Sequence, residues 1–169
     1  MNTMRNLKIA AVTVNMGIGE GGKRLAIAEK LLEQLTGQKP IRRMATKAIQ
    51  PFGIRKGLPI ACKVTLRNEK GIDFLKRALE AKDRRIKSSN FDQLGNFSFG
   101  IREHIDIAGV KYDPNVGIVG MDVNISIERS GSRVKKRALK RAKIGKRHLV
   151  SKDDAIEFIK KEFNVVVED

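Results

Sequence analysis

Four stretches of the chain alternate apolar and polar residues with a period of two: Val12-Thr13-Val14-Asn15, Cys62-Lys63-Val64-Thr65-Leu66-Arg67, Phe97-Ser98-Phe99-Gly100-Ile101-Arg102 and Val123-Asn124-Ile125-Ser126-Ile127-Glu128. Successive side chains on a strand point to opposite faces, so each stretch predicts a strand with one face on a core and the other free. Between them the spacing changes to threes and fours. Leu25, Ala28, Leu31, Leu32 and Leu35 form one apolar stripe, and Ile72, Leu75, Ala78 and Leu79 a second, which predicts two amphipathic helices. A last helix is predicted from Ser151, where Ser151-Lys152-Asp153-Asp154 has the form of a capping box with Asp in the place of Glu, through Ile156, Ile159 and Phe163. The expected fold class is α+β, a largely antiparallel sheet with helices packed on one face and the polar face open. That face would display Asn15, Lys63, Thr65, Arg67, Asn96, Ser98 and Asn124. Alternation alone is equally compatible with a sheet face that is merely solvated.

Charge changes that balance. The 169 residues, a length that suits one domain (1–169) with a basic extension at about 129–150, carry 35 Lys and Arg against 19 Asp and Glu, a formal charge of +16. Such an excess calls for a polyanion. Residues 34–68 contain no acid but hold Lys39, Arg42, Arg43, Lys47, Arg55, Lys56, Lys63 and Arg67. Residues 129–149 are also acid-free and hold Arg129, Arg133, Lys135, Lys136, Arg137, Lys140, Arg141, Lys143, Lys146 and Arg147. A solvated helix face normally mixes signs, because like charges repel and opposite pairs at i,i+4 help the helix. Phosphate is therefore the expected counter-charge of both segments, and the exposed sheet face is read as an RNA-binding platform.

Other classes fit less well. No stretch approaches the ~20 apolar residues of a membrane span, and the second basic segment is too poor in apolar residues for a membrane-surface helix, so no membrane partner is expected. The N-terminal run Met1 to Gly17 alternates and lacks a cleavage pattern, and is read as a strand. A single cysteine, Cys62, excludes an internal disulfide, and with only His104 and His148 there is no ligand set for structural zinc. Cys62 is read as buried core in a reducing, cytoplasmic compartment, and no cofactor or metal is expected. Aromatic residues are few (Tyr112, no Trp, seven Phe, most in core patterns), so base stacking is not expected to dominate.

The segment Gly17-Ile18-Gly19-Glu20-Gly21-Gly22-Lys23 matches G-x-G-x-x-G and comes close to a P-loop. Glycines at a strand-to-helix turn let backbone N–H groups close on phosphate, which makes a nucleotide hydrolase a formal alternative. Against it, Arg24 stands where a P-loop needs Ser or Thr for magnesium, and Glu20 places a negative charge in the cradle. The acidic ribose-binding residue of a dinucleotide fold, due about 20 positions on, falls in the acid-free segment. A turn that reverses the chain, or one that touches an RNA backbone, is the expected role. His104 lies near Glu103 and Asp106, but neighbours on a strand face opposite ways; both histidines are expected at the surface or against RNA, and no catalytic residue is assigned. A nonspecific nucleic-acid chaperone that binds through charge alone is the remaining alternative.

Five strings occur in an order that resembles ribosomal protein five of the large subunit: Val14 to Glu20 (VNMGIGE), Thr36 to Pro40 (TGQKP), Phe52 to Arg67 (FGIRKGLPIACKVTLR), Asn96 to Ile101 (NFSFGI) and Gly120 to Asp122 (GMD). Each alone is modest; five in order with similar spacing span nearly the whole chain. The tail Lys143 to His148 followed by Ser151-Lys-Asp-Asp resembles the archaeal and eukaryotic branch, and the short length an archaeal member. The resemblance implies a structural, non-enzymatic protein that holds 5S ribosomal RNA in the central protuberance of the large subunit in the cytoplasm. It implies 5S contacts at Asn15, Gln38, Thr65 and Arg67, to which the charge map adds Lys39 and Lys63. By the same resemblance the loop 52–59 reaches toward the tRNA in the peptidyl site, with Phe52, Arg55 and Lys56 as its contacts. Arg133, Lys135, Lys136, Arg137, Lys140, Arg141, Lys143, Lys146 and Arg147 are expected to neutralise phosphates of 23S-type RNA. The further partners implied are a head protein of the small subunit, across an inter-subunit bridge, and other proteins of the central protuberance.

Overall fold

The computed structural model describes residues 2–109 and 117–168; Tyr112 lies outside them. In chain order the elements are β1 (Leu7–Gly17), α1 (Lys23–Thr36), β2 (Ile41–Met44), β3 (Pro59–Leu66), α2 (Asn68–Glu80), β4 (Arg85–Lys87), β5 (Phe97–Ile101), β6 (Met121–Arg129), α3 (Arg133–Lys136), α4 (Lys152–Phe163) and β7 (Val166–Glu168). Five strands form one sheet in the order β2-β3-β1-β6-β5, each antiparallel to its neighbours. The fold is thus the expected α+β class. Strands β4 and β7 make a small parallel pair.

The period-two pattern becomes the two faces of this sheet. Val12, Val14 and Met16 of β1, Cys62, Val64 and Leu66 of β3, Phe97, Phe99 and Ile101 of β5, and Met121, Val123, Ile125 and Ile127 of β6 are all buried on one side. Leu25, Leu32 and Leu35 of α1, Phe74, Leu75 and Leu79 of α2, and Ala155 and Ile159 of α4 fill the same core. In α2, Ile72 of the expected stripe is half-exposed, and Phe74 is fully buried with Leu75, Ala78 and Leu79. The capping box of α4 is present: the Ser151 hydroxyl accepts from Asp154 N–H, and the Asp154 carboxylate accepts from Ser151 N–H at 3.2 Å.

The apolar pattern of β1 changes phase along the strand. Leu7 and Ile9 are apolar at odd positions, whereas Val12, Val14 and Met16 are apolar at even ones, so an unbroken strand would send one group out of the core. The β1–β6 register shifts between Ile9 and Ala11, a bulge whose extra residue lets both groups pack against the core. Strands β2, β4 and β7 are not evident in the alternation, for physical reasons. All four residues of β2 are exposed because it is an edge strand, and β4 and β7 have three residues each. Gly95 marks the closest approach to the α4 region: at φ +76°, a Cβ there would lie 2.6 Å from Val150 Cγ1 and 3.1 Å from Ala155 Cβ. No described helix is long and apolar enough to cross a membrane.

The basic extension leaves the end of β6 and is tied back by two carboxylates. Asp154 receives Arg129 Nη2 at 2.7 Å, and Glu128 is bonded to Lys136 and Ser132. Arg129 Nη1 also reaches the Arg147 carbonyl at 3.4 Å, and His148 Nε2 lies 2.9 Å from the Ser130 carbonyl. Arg129, counted among the phosphate-seeking cations of the sequence, is thus mostly buried and already paired. Burial alone would raise the pKa of Asp154, but the bonds from Ser151 and the charge of Arg129 outweigh it and hold the carboxyl below its usual range.

Phe74→Ala, which empties a fully buried site, is expected to cost ~3–5 kcal/mol in urea unfolding. Because the folded-state pKa of Asp154 is depressed, its contribution to stability is fully present above the unfolded value of about 3.9 and is lost as pH falls through the folded value. Asp154→Asn is therefore expected to remove part of the acid-induced loss of stability. At neutral pH it should lower the thermal midpoint by at least about 2–4 °C, the equivalent of ~1 kcal/mol, because it leaves the mostly buried Arg129 without its carboxylate. Unfolding midpoints measured from neutral pH down through the carboxylate range check both.

Candidate nucleic-acid interface

The sheet face opposite the core carries no helix from the main body of the fold, and its residues fall in register. Asn15 of β1 lies between Lys63 of β3 and Asp122 of β6. One step along, Thr13 lies between Thr65 and Asn124, and Asn124 faces Ser98 of β5. The Thr13 and Thr65 hydroxyls are 3.3 Å apart, within hydrogen-bonding distance, and Ser126 donates to Asn96 at 3.0 Å. Thr13, Asn15, Lys63 and Thr65 are half-buried by their neighbours, so their rotamers are restrained before any ligand arrives. Thr13 and Asp122 are absent from the contacts expected from sequence. Thr13 was legible in the same alternation that displayed Asn15, but Asp122 becomes visible only through its cross-strand place beside Asn15.

The remaining expected contacts take different positions. Gln38 and Lys39 are exposed just after the left-handed cap of α1 at Gly37. Because Ile41 pairs with Lys63 in an antiparallel register, they lie toward the Thr65 end of β3. Arg67 is exposed where β3 turns into α2. Phe52, Arg55 and Lys56 lie elsewhere, on an arm that joins β2 to β3. Ala45 N–H bonds the Leu58 carbonyl, Gly57 N–H the Ala45 carbonyl, and Ile49 bridges Ile54, so the expected loop 52–59 is the tip and returning limb of a longer hairpin. Phe52 stands at the tip with 75 % of its surface exposed. The other phenylalanines are buried or half-buried.

The arm enters β3 at Pro59, beyond the Gly17 end of β1, whereas the extension leaves β6 at Arg129, opposite Leu7. The arm of the first basic segment and the extension therefore flank opposite ends of the polar face, with Lys39 and Arg67 set away from the arm, past the Thr65 end of β3. In the extension Arg133, Lys135, Lys136, Arg137, Lys140, Arg141, Lys143, Lys146 and Arg147 are all exposed. Among the described residues only Lys136 of these meets a carboxylate, and in the first segment only Arg42, which bonds Glu29 at 2.9 Å. That bond, with the charges of Arg42 and Lys39, keeps Glu29 below the ordinary carboxylate range despite some burial. The cations left without a protein partner are the electrostatic footprint of a polyanion.

Among the described residues the glycine turn and Cys62 are taken up by the fold itself. The N–H groups of Ile18 and Gly19 both donate to the Ile60 carbonyl at 3.0 Å, so the glycine turn holds β1 to β3 with amides that a phosphate cradle would need. Arg24 pairs with Glu20 at 2.8 Å across it. The neighbours of β1 are antiparallel, whereas a dinucleotide fold requires a parallel strand there. Cys62 is fully buried, and burial pushes its thiol up to about 11, which leaves it protonated and unreactive. No cluster of metal-ligating side chains occurs among the described residues.

His104 departs from the expected surface position. It is fully buried, with Nδ1 accepting from Val119 N–H at 3.4 Å. It opens a 3₁₀ turn between Ile101 and Ile107, both of which are buried with it. His148 is likewise half-buried and held at Ser130 rather than free for RNA.

Two family models match the chain, "Ribosomal protein L5" over residues 2–55 and the C-terminal model of the same ribosomal family over residues 59–158. The large ribosomal subunit protein uL5 of Sulfurisphaera tokodaii is 52% identical over 168 residues, 99% of this chain and 95% of that protein. That of Methanosphaera stadtmanae is 50% identical over 168 residues, 99% and 100% of the two chains. That of Sulfolobus acidocaldarius is 49% identical over 166 residues, 98% and 93%. With both halves matched in order and such identity along nearly its whole length, the chain belongs to the uL5 family of large-subunit ribosomal proteins, and to its archaeal type.

Proposed function

We propose that this protein recognises 5S ribosomal RNA through its helix-free sheet face and attaches it in the central protuberance. As a uL5 family member it is a structural, non-enzymatic constituent of the large subunit of the cytoplasmic ribosome. The observation that carries the finer reading is the register that sets Asn15, Lys63 and Thr65 side by side on a restrained polar surface with unpaired cations at its borders. Amides and hydroxyls discriminate by hydrogen bonding to bases and sugars, whereas the peripheral Lys and Arg supply attraction without sequence preference. Gln38, Lys39 and Arg67 extend the same contact.

The exposed Phe52 at the hairpin tip, with Arg55 and Lys56 on the returning limb, supports a reach to the tRNA in the peptidyl site. The exposed cations of the extension support contacts with 23S-type RNA. A bridge to a head protein of the small subunit, and contacts with other central-protuberance proteins, complete the proposal without assigned residues. We also read residues 1–169 as one domain: β1, within the first family match, is hydrogen-bonded on both sides to strands of the second, so neither segment has a complete sheet alone.

Specific binding is tested by competition of labelled 5S RNA against excess tRNA at near-physiological salt. Retention of 5S RNA is expected; easy displacement would leave a nonspecific basic chaperone. In the same assay Thr65→Val or Asn15→Ala is expected to cost ~1–3 kcal/mol of specific affinity with the salt slope nearly unchanged. Lys140→Ala is expected instead to reduce the slope of log K against log salt by about one unit.

A further inference from the structure

Where the extension folds back beside the open sheet face, it leaves a cavity of about 240 Å³ between Asn96, Ser126 and Glu128 of the sheet side and Lys135, Ile144 and Leu149 of the extension. We propose that this cavity seats a single unstacked nucleobase of the bound ribosomal RNA, an inference that rests on the RNA-binding reading above. Its volume lies below the ~300–1,000 Å³ of sites for larger ligands, a scale suited to one base. Leu94, Ile144 and Leu149 offer apolar walls for the flat faces of a base. Arg129 also lines the cavity. Its Nη atoms serve Asp154 and the Arg147 carbonyl, so this lining side chain is fixed in place by the fold itself.

The surroundings specify a nucleotide further. A second hollow shares Lys135, Ile144 and Leu149 with the first and adds Arg141 and Lys143, which sets cations beside the apolar slot as a base with its own phosphate requires. The one carboxylate lining the slot, Glu128, is already engaged by Lys136 and Ser132, so it does not repel an anion as a free carboxylate would. A free phosphate would leave the apolar walls unused, and a cationic peptide segment would be repelled by Lys135, Arg141 and Lys143. Extrusion of a base costs least where it is already unpaired, and single-stranded loops and bulges are where proteins read RNA sequence.

The test uses the full chain with 5S RNA and with 23S-type RNA, comparing Ile144→Trp, which fills the slot from a residue outside the core cluster, with Thr65→Val on the sheet face. Leu149→Trp serves as a second filler, and thermal melting checks that both fold. Ultraviolet crosslinking is expected to join the 144–149 peptide to one nucleotide. Each filler is expected to abolish that crosslink and weaken binding about tenfold, the scale of burying one base against apolar walls, without changing the salt slope. Wild-type affinity in both fillers, with Thr65→Val still impaired, would overturn the pocket and leave the sheet-face reading intact. Absence of any preference for ribosomal RNA over tRNA in the wild type would overturn both. Tight binding of free AMP, GMP, CMP or UMP that ribosomal RNA does not displace would make this a site for free nucleotides and overturn the assignment to RNA.

Discussion

The pairing of β1 on both of its edges governs everything else in the molecule. β3 and β6 are joined to it in antiparallel register, and because strand side chains alternate, a slip of one residue against either neighbour would carry Val12, Val14 and Met16 out of the core and Thr13 and Asn15 into it. The loss of those buried side chains, at ~1.5–3 kcal/mol each, makes the register strongly specified. The polar face is therefore positioned by the burial of the opposite face. Its hydrogen-bonding groups need no stabilising contacts of their own, which frees them for a ligand.

That separation divides the electrostatics as well. The centre of the open face is mixed, with Asn15 between Lys63 and Asp122, while most of the unpaired cations lie on the hairpin arm and the extension, which leave the sheet at its two ends. In the proposed RNA-binding role, long-range attraction would arise from the flanks and weaken with salt, and hydrogen-bond discrimination would arise from the centre and be less sensitive to it. The extension is attached to the body through Glu128 and Asp154, so acidic side chains fix the geometry of a segment whose remaining cations face outward. An RNA that meets this surface encounters an extension already folded against β6 and α4, with less ordering entropy to lose than a free tail would have.

Much of the fold was legible because burial imposes periodicity. The four alternating strands, both apolar helical stripes and the Ser151 capping box all appear in the structure, as does the polar face, since each depends on local spacing alone. Even the bulge of β1 was written in the change from odd to even apolar positions at Leu7, Ile9 and Val12, although the alternation read from Val12 onward passed over it. The edge strand β2 was not legible, because its Ile41-Arg42-Arg43-Met44 residues are all exposed and carry no burial pattern.

Which residues point away from the core, and where the surplus charge lies, follow from the chain read position by position, because alternation and composition are properties of neighbours. Which of those residues meet was settled only on folding. Register joined Thr13 to Thr65 and set Asp122 beside Asn15; packing buried His104; the hairpin carried Phe52 away from the sheet; and Asp154, 25 positions from Arg129, withdrew that cation from the phosphate-binding set. These are contacts between distant segments. They depend on how strands are paired and loops returned, a choice made by the free energy of the whole core and carried by no single stretch of the chain.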